Sequence, residues 1–470
     1  MTNPAMNRVL TTPILIVFGL AYMVPLGIFT TYGQVTVLSK GHLPIAYVIT
    51  LVMIFFTALS YCRMSTFLPL SGSAYSYTQR TFGPVIGFSV GWVQILDYLF
   101  LPIVNYVVLG LYLHEAFPAI PAWTFILGAL FSVTVLNYIG VRLITPINLF
   151  LIALQVLFIG LFVFLSFKGA DLSPANLIEP LNPTGNDMGG LFSGAAVLCL
   201  AFLGFDAIAT MAEETKDAQK TLPRAIMLTV VIAGSIFLII SFFANISYPE
   251  WQDFLPIDKQ DTASLDVINR IGETSNFGGK LLSDLFLATY LTGVYASAMT
   301  SQTSVSRILF AMGREGVLPR KIFYNLHPKF HTPHLALICV AAFSLISLFI
   351  PLALVASMIS FGALVAFTAV NACVIKSHLF TQAKENYNIK GFLSFGLLPL
   401  IGMCLTTWLW INLDIHAMTI GLLWFALGIS YLLYITKFFR HPIPEIGHDE
   451  IDEIIRAREE EEATEEEKKA

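Results

Sequence analysis

The amino-acid sequence predicts an all-α integral membrane protein with twelve transmembrane helices. Of its 470 residues, 56% are hydrophobic and only 12% are charged, and the mean hydropathy is +0.74. Soluble globular domains carry roughly 25% charged residues, so most of this chain must face lipid or other lipid-facing helices. The second observation is a series of twelve apolar segments of membrane-spanning length. The third is that the first and the sixth of these segments are interrupted.

The twelve predicted spans follow one another along nearly the whole chain. They cover about residues 10–38, 44–62, 85–112, 122–139, 143–167, 190–212, 224–247, 281–306, 334–350, 353–375, 391–411 and 415–437. The first segment is too long for the apolar core of a signal peptide, and no small-residue cleavage site follows it. We therefore predict that it is the first span.

Basic residues are distributed unevenly between the two sides of these spans. With the N-terminus inside, the inner loops and tails hold 21 Lys and Arg residues and the outer loops hold 5. The positive-inside rule then predicts that both termini are cytoplasmic. The predicted domains are a short tail (1–9), a transmembrane domain (10–440) and an acidic tail (441–470). No basic stripe suited to nucleic acid is present.

The reactive side chains form no pattern typical of an enzyme. The five cysteines lie in or beside apolar segments without the spacing of metal ligands, so we interpret them as small core residues. The nine histidines fall in loops, tails or span ends. We therefore predict no metal, no cofactor and no catalytic residues.

The sixth span, 190–212, carries an acidic residue near its middle. Gly204 interrupts it between Phe202 and Phe205, and Asp206 follows. An aspartate at the centre of a spanning helix costs roughly 2.5–3.5 kcal/mol on insertion scales, and no Lys or Arg lies within the span. Asp206 is therefore a candidate binding residue that faces a cavity or the bundle interior. The alternative is that its carboxylate caps the half-helix that restarts after Gly204.

The first span is also interrupted near its middle, at Pro25–Gly27. This break lies five spans before the break at Gly204. Matching breaks in two five-span halves predict a transporter with inverted repeats and a binding site at the midplane. The repeats would cover about residues 10–167 and 190–375, with two additional helices at 391–437.

Two acids, Glu213 and Glu214, follow the sixth span on its predicted cytoplasmic side. Thr221 and Pro223 are predicted to begin the seventh helix as its cap and first-turn proline. We interpret this segment, AEETKDAQKTLPR (212–224), as a structural connection between the sixth and seventh spans. Its two acids would pair with arginines on the cytoplasmic side during gating.

Three stretches carry a resemblance to a known family. They are FLGFDAIATMAEETKDAQKTLPRAI (202–226), LSGSAYSYTQRTFGPVIGFSVGW (70–92) and SRILFAMGREGVLP (306–319). In this order they resemble the amino acid–polyamine–organocation (APC) permease superfamily, over about residues 10–440. The resemblance implies a leucine-transporter-like core of five plus five helices in inverted repeats, with two extra C-terminal helices. It also implies secondary transport by alternating access.

Within the superfamily, GLAYMVPLGIF (19–29) and GWVQILDYLFLP (91–102) are most similar to bacterial putrescine importers. Carriers of ordinary amino acids bind the substrate carboxylate with half-helix amides at the first break. Here Pro25 has no N–H group and Leu26 crowds the backbone, so this anion site is impaired. The alternative is that the amides of Leu26 and Gly27 still bind a carboxylate.

A second carboxylate, Asp97, lies near the centre of the third span. Two membrane carboxylates without basic neighbours suit a substrate with two ammonium groups and no carboxylate. Alternatively, Asp97 caps or hydrogen-bonds a neighbouring helix. Aromatic faces near the breaks would contact the ammonium groups and their methylene linker. The predicted substrate-binding residues are Asp206, Asp97, Tyr22, Tyr98, Phe202, Phe205, Gly204, Pro25 and Gly27.

The coupling ion is open between a proton and sodium. Either membrane carboxylate could carry a proton. Some proton-coupled permeases of the superfamily have a lysine in the fifth span, and the matching residue here is Gln155, which does not titrate. A sodium site would combine first-span carbonyls with eighth-span hydroxyls, although such hydroxyls also serve in helix packing. The candidates for ion coupling are Asp206, Gln155, Ser297, Thr300 and Ser301.

The sequence therefore predicts an inner-membrane importer of putrescine or a related diamine, driven by protons. Its partners would be a small cationic substrate, H⁺ or Na⁺, and the lipid bilayer. One alternative is an amino acid permease of the same superfamily. A second is a transporter-like nutrient sensor, although the polar 30-residue tail is short for a regulatory domain.

Overall fold

A computed structural model describes residues 8–183, 188–260, 263–381, 389–413, 415–441 and 443. The predicted tails at 1–9 and 441–470 lie almost entirely outside these residues. Within the described part, the regular elements are all helical, and one isolated backbone bridge joins Leu10 to Thr215. The predicted all-α class is confirmed.

The α-helices are numbered in chain order. They are α1 (Thr12–Met23), α2 (Tyr32–Leu38), α3 (Leu43–Phe67), α4 (Ala74–Phe82), α5 (Pro84–Ala116), α6 (Ala122–Ile139), α7 (Val141–Gly169), α8 (Pro174–Ile178), α9 (Met188–Leu198), α10 (Ala218–Ser247), α11 (Ile257–Gln260), α12 (Ala263–Thr274), α13 (Gly279–Arg314), α14 (Arg320–Phe323), α15 (His334–Ser344), α16 (Leu352–Val374), α17 (Ile389–Gly391), α18 (Leu398–Ile411) and α19 (Ile415–Ile435). Single π-helical segments follow α16 and α17, at Ile375–Thr381 and Phe392–Leu397.

Eleven helical segments in the described residues are long and apolar enough to cross a membrane. They correspond to predicted spans one to eight and ten to twelve. The predicted ninth span corresponds to His334–Leu348, an apolar helix below this length. It consists of α15 and one 3₁₀ turn, and Pro351 precedes the next helix. The structure thus supports eleven of the twelve predicted spans, and the ninth stays a prediction.

The third span, α5, lies at the centre of the bundle. In its most apolar stretch of 18 residues, 89% of the residues are buried, and the helix packs against α13 and α16. In the corresponding stretches of the last two spans, Ile389–Ile411 and Ile415–Ile435, only 28% and 17% of the residues are buried. Residues of the third span therefore line the interior, whereas the last two spans lie at the periphery.

Both predicted helix breaks are present. α1 ends at Met23, where Val24 adopts a φ of 55°. This left-handed conformation is strained for a β-branched residue. Pro25 follows without an N–H group, and the chain resumes as a 3₁₀ helix at Gly27–Thr30. The break therefore begins at Val24, one residue earlier than predicted.

The sixth span is broken in the same way. After α9, one 3₁₀ turn (Cys199–Phe202) leads into a non-helical stretch that contains Gly204, and a 3₁₀ helix (Ala207–Glu214) completes the span. The φ of Gly204 is 133°, which residues with a Cβ rarely adopt. Irregular backbone at this depth is tolerated only where it is buried in protein or lines a cavity.

The predicted start of the seventh helix is wrong. α10 begins at Ala218, so Pro223 lies inside the helix and Thr221 is not its cap. Pro223 removes the amide that would bond the carbonyl of Gln219. The hydroxyl of Thr66 in α3 lies 3.4 Å from that carbonyl, although it is closer, at 2.9 Å, to the carbonyl of Cys62 in its own helix. The proline thus frees one acceptor, within the first two turns of α10.

Candidate functional site

The two helix breaks meet in the middle of the bundle. A Cβ built on Gly204 would lie 2.9 Å from Cβ of Tyr22. Only a glycine permits this approach of the first and sixth spans. The rings of Tyr22 and Tyr98 lie edge to face with centroids 6.3 Å apart, so the third span reaches the same point.

Asp206 is buried at this meeting point and is hydrogen-bonded on both oxygens. The hydroxyl of Tyr98 donates to Oδ2 at 2.5 Å, and the amide of Gly204 donates to Oδ1 at 3.3 Å. The side chain does not cap the 3₁₀ helix that follows. The carboxylate thus orders the break and at the same time joins the sixth span to the third.

Asp97 is also buried, and it precedes Tyr98, whose hydroxyl binds Asp206. Among the described residues, its Oδ1 has no hydrogen-bond partner. Gly362 of α16 packs against it, because a Cβ there would lie 2.8 Å from the amide nitrogen of Asp97. In the described part of the chain, this oxygen therefore does not form the hydrogen bond to a neighbouring helix that was the alternative role for Asp97.

A small cavity of about 60 Å³ adjoins the meeting point of the breaks. It lies between the first, third, sixth and eighth spans. Its lining consists of Tyr22, Met23, Val24, Gly27, Thr30, Thr31, Leu101, Val104, Asn105, Leu200, Ala201, Leu203 and Ser297. Of the predicted substrate-binding residues, Tyr22 and Gly27 line it directly. Tyr22 connects it to Asp206 through Tyr98.

The amides of the first break are already engaged. The amide of Leu26 donates to Oε1 of Gln155 at 3.4 Å, and the amide of Gly27 donates to the carbonyl of Val24 at 2.6 Å. Pro25 contributes no N–H group. A substrate carboxylate would have to displace these acceptors.

Apart from Asp206, the residues predicted for ion coupling divide into two groups. Gln155 and Ser297 contact the first span, and Ser297 donates to the carbonyl of Tyr22 at 2.8 Å. Thr300 and Ser301 instead donate to carbonyl groups of their own helix, at 3.0 and 2.6 Å. Within the described residues, Nε2 of Gln155 has no hydrogen-bond partner.

Phe202 and Phe205 are fully buried but do not line the cavity. Phe202 contacts Phe237, with ring centroids 5.2 Å apart, and Phe205 contacts Phe367 at the same separation. Their rings fill the space between helices on either side of the break. Any contact with a substrate would require these clusters to open.

Asn105 is a site residue that the sequence did not predict. It lines the cavity and donates from Nδ2 to Oγ of Ser297 at 2.9 Å. The signal available was a carboxamide in an apolar span, seven residues after Tyr98 and so on the same helical face.

One buried and one partly buried ion pair lie where the sixth span leaves the bundle. Nε of Arg307 donates to Glu214 at 2.5 Å, and Nη1 of Arg314 donates to Glu213 at 2.7 Å. The amide of Glu213 also donates to Oγ of Ser71 at 3.3 Å. The predicted pairing of the two acids with arginines is confirmed, and it ties the sixth span to the eighth.

Comparison with known proteins places this arrangement in a class of membrane transporters. Residues 15–441 match the model of the amino acid permease family. The chain belongs to this family, and the predicted membership of the APC superfamily is confirmed. Because the family and the matching relatives are permeases, the protein is a transporter and not an enzyme.

Three relatives illustrate the range of substrates. The chain is 35% identical to the low-affinity putrescine importer PlaP of Escherichia coli (strain K12), over 94% of this chain and 96% of that protein. It is 29% identical to the branched-chain amino acid permease BcaP of Bacillus subtilis (strain 168), over 90% and 92% of the two chains. It is 26% identical to the methylthioribose transporter of the same organism, over 93% and 95%.

Proposed function

We propose that the protein imports putrescine or a closely related diamine across the plasma membrane. The observation that carries this proposal is the buried pair of carboxyl groups, Asp97 and Asp206, beside the two helix breaks. Neither group forms an ion pair with a basic residue in the described part of the chain. Buried carboxylates of this kind are neutralised by a proton or by a cationic ligand. The 35% identity to PlaP supports the same substrate class.

The first break favours a substrate without a carboxylate. The amides of Leu26 and Gly27 are bonded within the protein, so they are not free to hold an anion. The second candidate function is an amino acid permease, and the relationship to BcaP favours it. In that case a substrate carboxylate would replace Gln155 as the acceptor of the Leu26 amide.

For coupling, we assign the proton to Asp97 and the first ammonium group to Asp206. Asp206 is already stabilised by Tyr98 and Gly204, whereas Oδ1 of Asp97 lacks a partner. An unpartnered buried carboxyl is least costly when it is neutral. Sodium is the alternative, with Ser297 and the carbonyl of Tyr22 as ligands. That route requires the hydrogen bond between these two groups to break.

The proposed mechanism is alternating access between two inverted repeats, at 10–167 and 190–375, with the last two helices outside this core. One helix break would belong to each repeat, which is why the breaks meet. The ion pairs of Glu213 and Glu214 would close the cytoplasmic end. Both termini lie in the cytoplasm in this orientation, as the distribution of basic residues requires.

Uptake of labelled putrescine into proteoliposomes under an imposed pH gradient tests the proposal directly. We expect saturable uptake that collapses when the gradient is dissipated. Excess lysine or a neutral amino acid should not compete, because the first break has no free amides for their carboxylates. If putrescine does not enter and a labelled amino acid accumulates instead, the permease alternative replaces the diamine importer.

Replacing Asp97 by Asn tests the assignment of the proton. We expect uptake driven by the pH gradient to fall by about tenfold or more. This is the effect of losing a protonation step that contributes about 1.4 kcal/mol or more to the driving force for transport. Putrescine exchange between equal pH values should persist, since Asp206 is intact. The comparison is between gradient-driven uptake and exchange in the same vesicles. Unchanged gradient-driven uptake would show that a group other than Asp97 carries the proton.

A further inference from the structure

Asn105 lines the cavity and lies on the same helix as Tyr98, the residue that binds Asp206. Asn105 and Tyr98 are separated by two turns of α5, which corresponds to about 10.5 Å along the helix axis. Pro102 lies between them and removes the amide that would bond the carbonyl of Tyr98. Leu101 and Asn105 of this helix line the cavity.

The orientation of the Asn105 carboxamide follows from its neighbours. The hydroxyl of Ser297 has one hydrogen, which it donates to the carbonyl of Tyr22 at 2.8 Å. Ser297 must therefore accept the bond that joins it to Asn105, at 2.9 Å, so Nδ2 faces Ser297. Oδ1 of Asn105 faces away from Ser297, and within the described residues no hydrogen bond reaches it.

The hydroxyl of Thr30, which also lines the cavity, is already engaged. Thr30 and Tyr290 are hydrogen-bonded to each other, with their oxygens 2.7 Å apart. A carboxamide oxygen with a free lone pair accepts a hydrogen bond from an ammonium group and repels a carboxylate. The cavity itself has room for about two water molecules, which a substrate end would displace.

We propose that Oδ1 of Asn105 accepts a hydrogen bond from the ammonium group of the diamine that is distant from Asp206. The separation between Asn105 and Asp206 then selects the length of the diamine. This assignment rests on the proposed function, because the first ammonium group is placed at Asp206. The substrate class is thereby narrowed to linear α,ω-diamines of one length.

The test compares initial uptake rates of diamines with three, four and five methylene groups, and of butylamine, in proteoliposomes. In Asn105→Leu, KM for putrescine should rise about tenfold, the effect of losing one hydrogen bond to a charged group. KM for butylamine should not change. In Asn105→Gln, the carboxamide extends by one methylene, so the preferred diamine should become one methylene shorter.

Asn137→Gln is the matched control. Asn137 is an equally buried amide that contacts α13, where its Nδ2 donates to Gln302 at 2.6 Å, but it does not line the cavity. It should not alter the order of preference among the diamines. If the wild-type protein transports no diamine, the proposed function fails. If it transports diamines and Asn105→Gln keeps the wild-type order, only the role of Asn105 is refuted.

Discussion

Replacing Asp206 by Asn is expected to abolish diamine uptake. The ammonium group would lose its buried carboxylate, and truncating one partner of a buried charge pair costs about 2–5 kcal/mol. This corresponds to a rise in KM of about thirty-fold or more. The measurement is the initial rate of labelled putrescine uptake in proteoliposomes that contain equal amounts of wild-type and variant protein.

The structure explains why this variant should still fold. An asparagine at 206 retains an acceptor oxygen for either the Tyr98 hydroxyl or the Gly204 amide. Tyr98→Phe serves as the companion variant, because it removes the donor and leaves the carboxylate. It should weaken uptake less than Asp206→Asn does. Full transport by a well-expressed Asp206→Asn protein would refute the assignment of Asp206 as the group that binds the first ammonium of the diamine.

Replacing Arg307 by Met is expected to have the second large effect. The side chains of Arg307 and Glu214 are 4% and 7% exposed, and they form a contact of 2.5 Å. Breaking such a buried pair leaves an uncompensated carboxylate, at a cost of about 3–5 kcal/mol. We expect a clear drop in thermal stability in detergent and loss of putrescine accumulation.

The double variant Arg307→Met with Glu214→Gln separates stability from gating. It removes the unpaired charge, so thermal stability should return towards that of the wild type. Accumulation should stay below about a tenth of the wild-type level, because the remaining side chains lack the attraction that holds the closed end together. Wild-type accumulation in the double variant would show that the ion pair has only a structural role.

An exposed ion pair provides a matched control. Arg270 and Glu250 are 36% and 50% exposed and are 2.6 Å apart. The bond from Arg270 holds the pKa of Glu250 below its ordinary value. Exposed pairs contribute only about 0–1 kcal/mol to stability. Arg270→Met should therefore change neither thermal stability nor accumulation appreciably.

Properties that depend on local chemistry could be predicted from the sequence. Apolar length and charge content specify membrane spans because the cost of burying a charge in lipid does not depend on which helices are neighbours. The breaks at Pro25–Gly27 and around Gly204 could be predicted for a similar reason. Proline and glycine interrupt a helix through their own backbone properties.

Only the tertiary structure decided which side chains meet. Tyr98 and Asp206 are 108 positions apart in the chain, and their hydrogen bond depends on how the third and sixth spans cross. Phe202 and Phe205 lie beside the break in sequence, yet they point into aromatic clusters away from the cavity. Asn105 lies far from either break in sequence and still lines the cavity. Proximity along a chain does not fix the direction of a side chain, whereas packing between helices does.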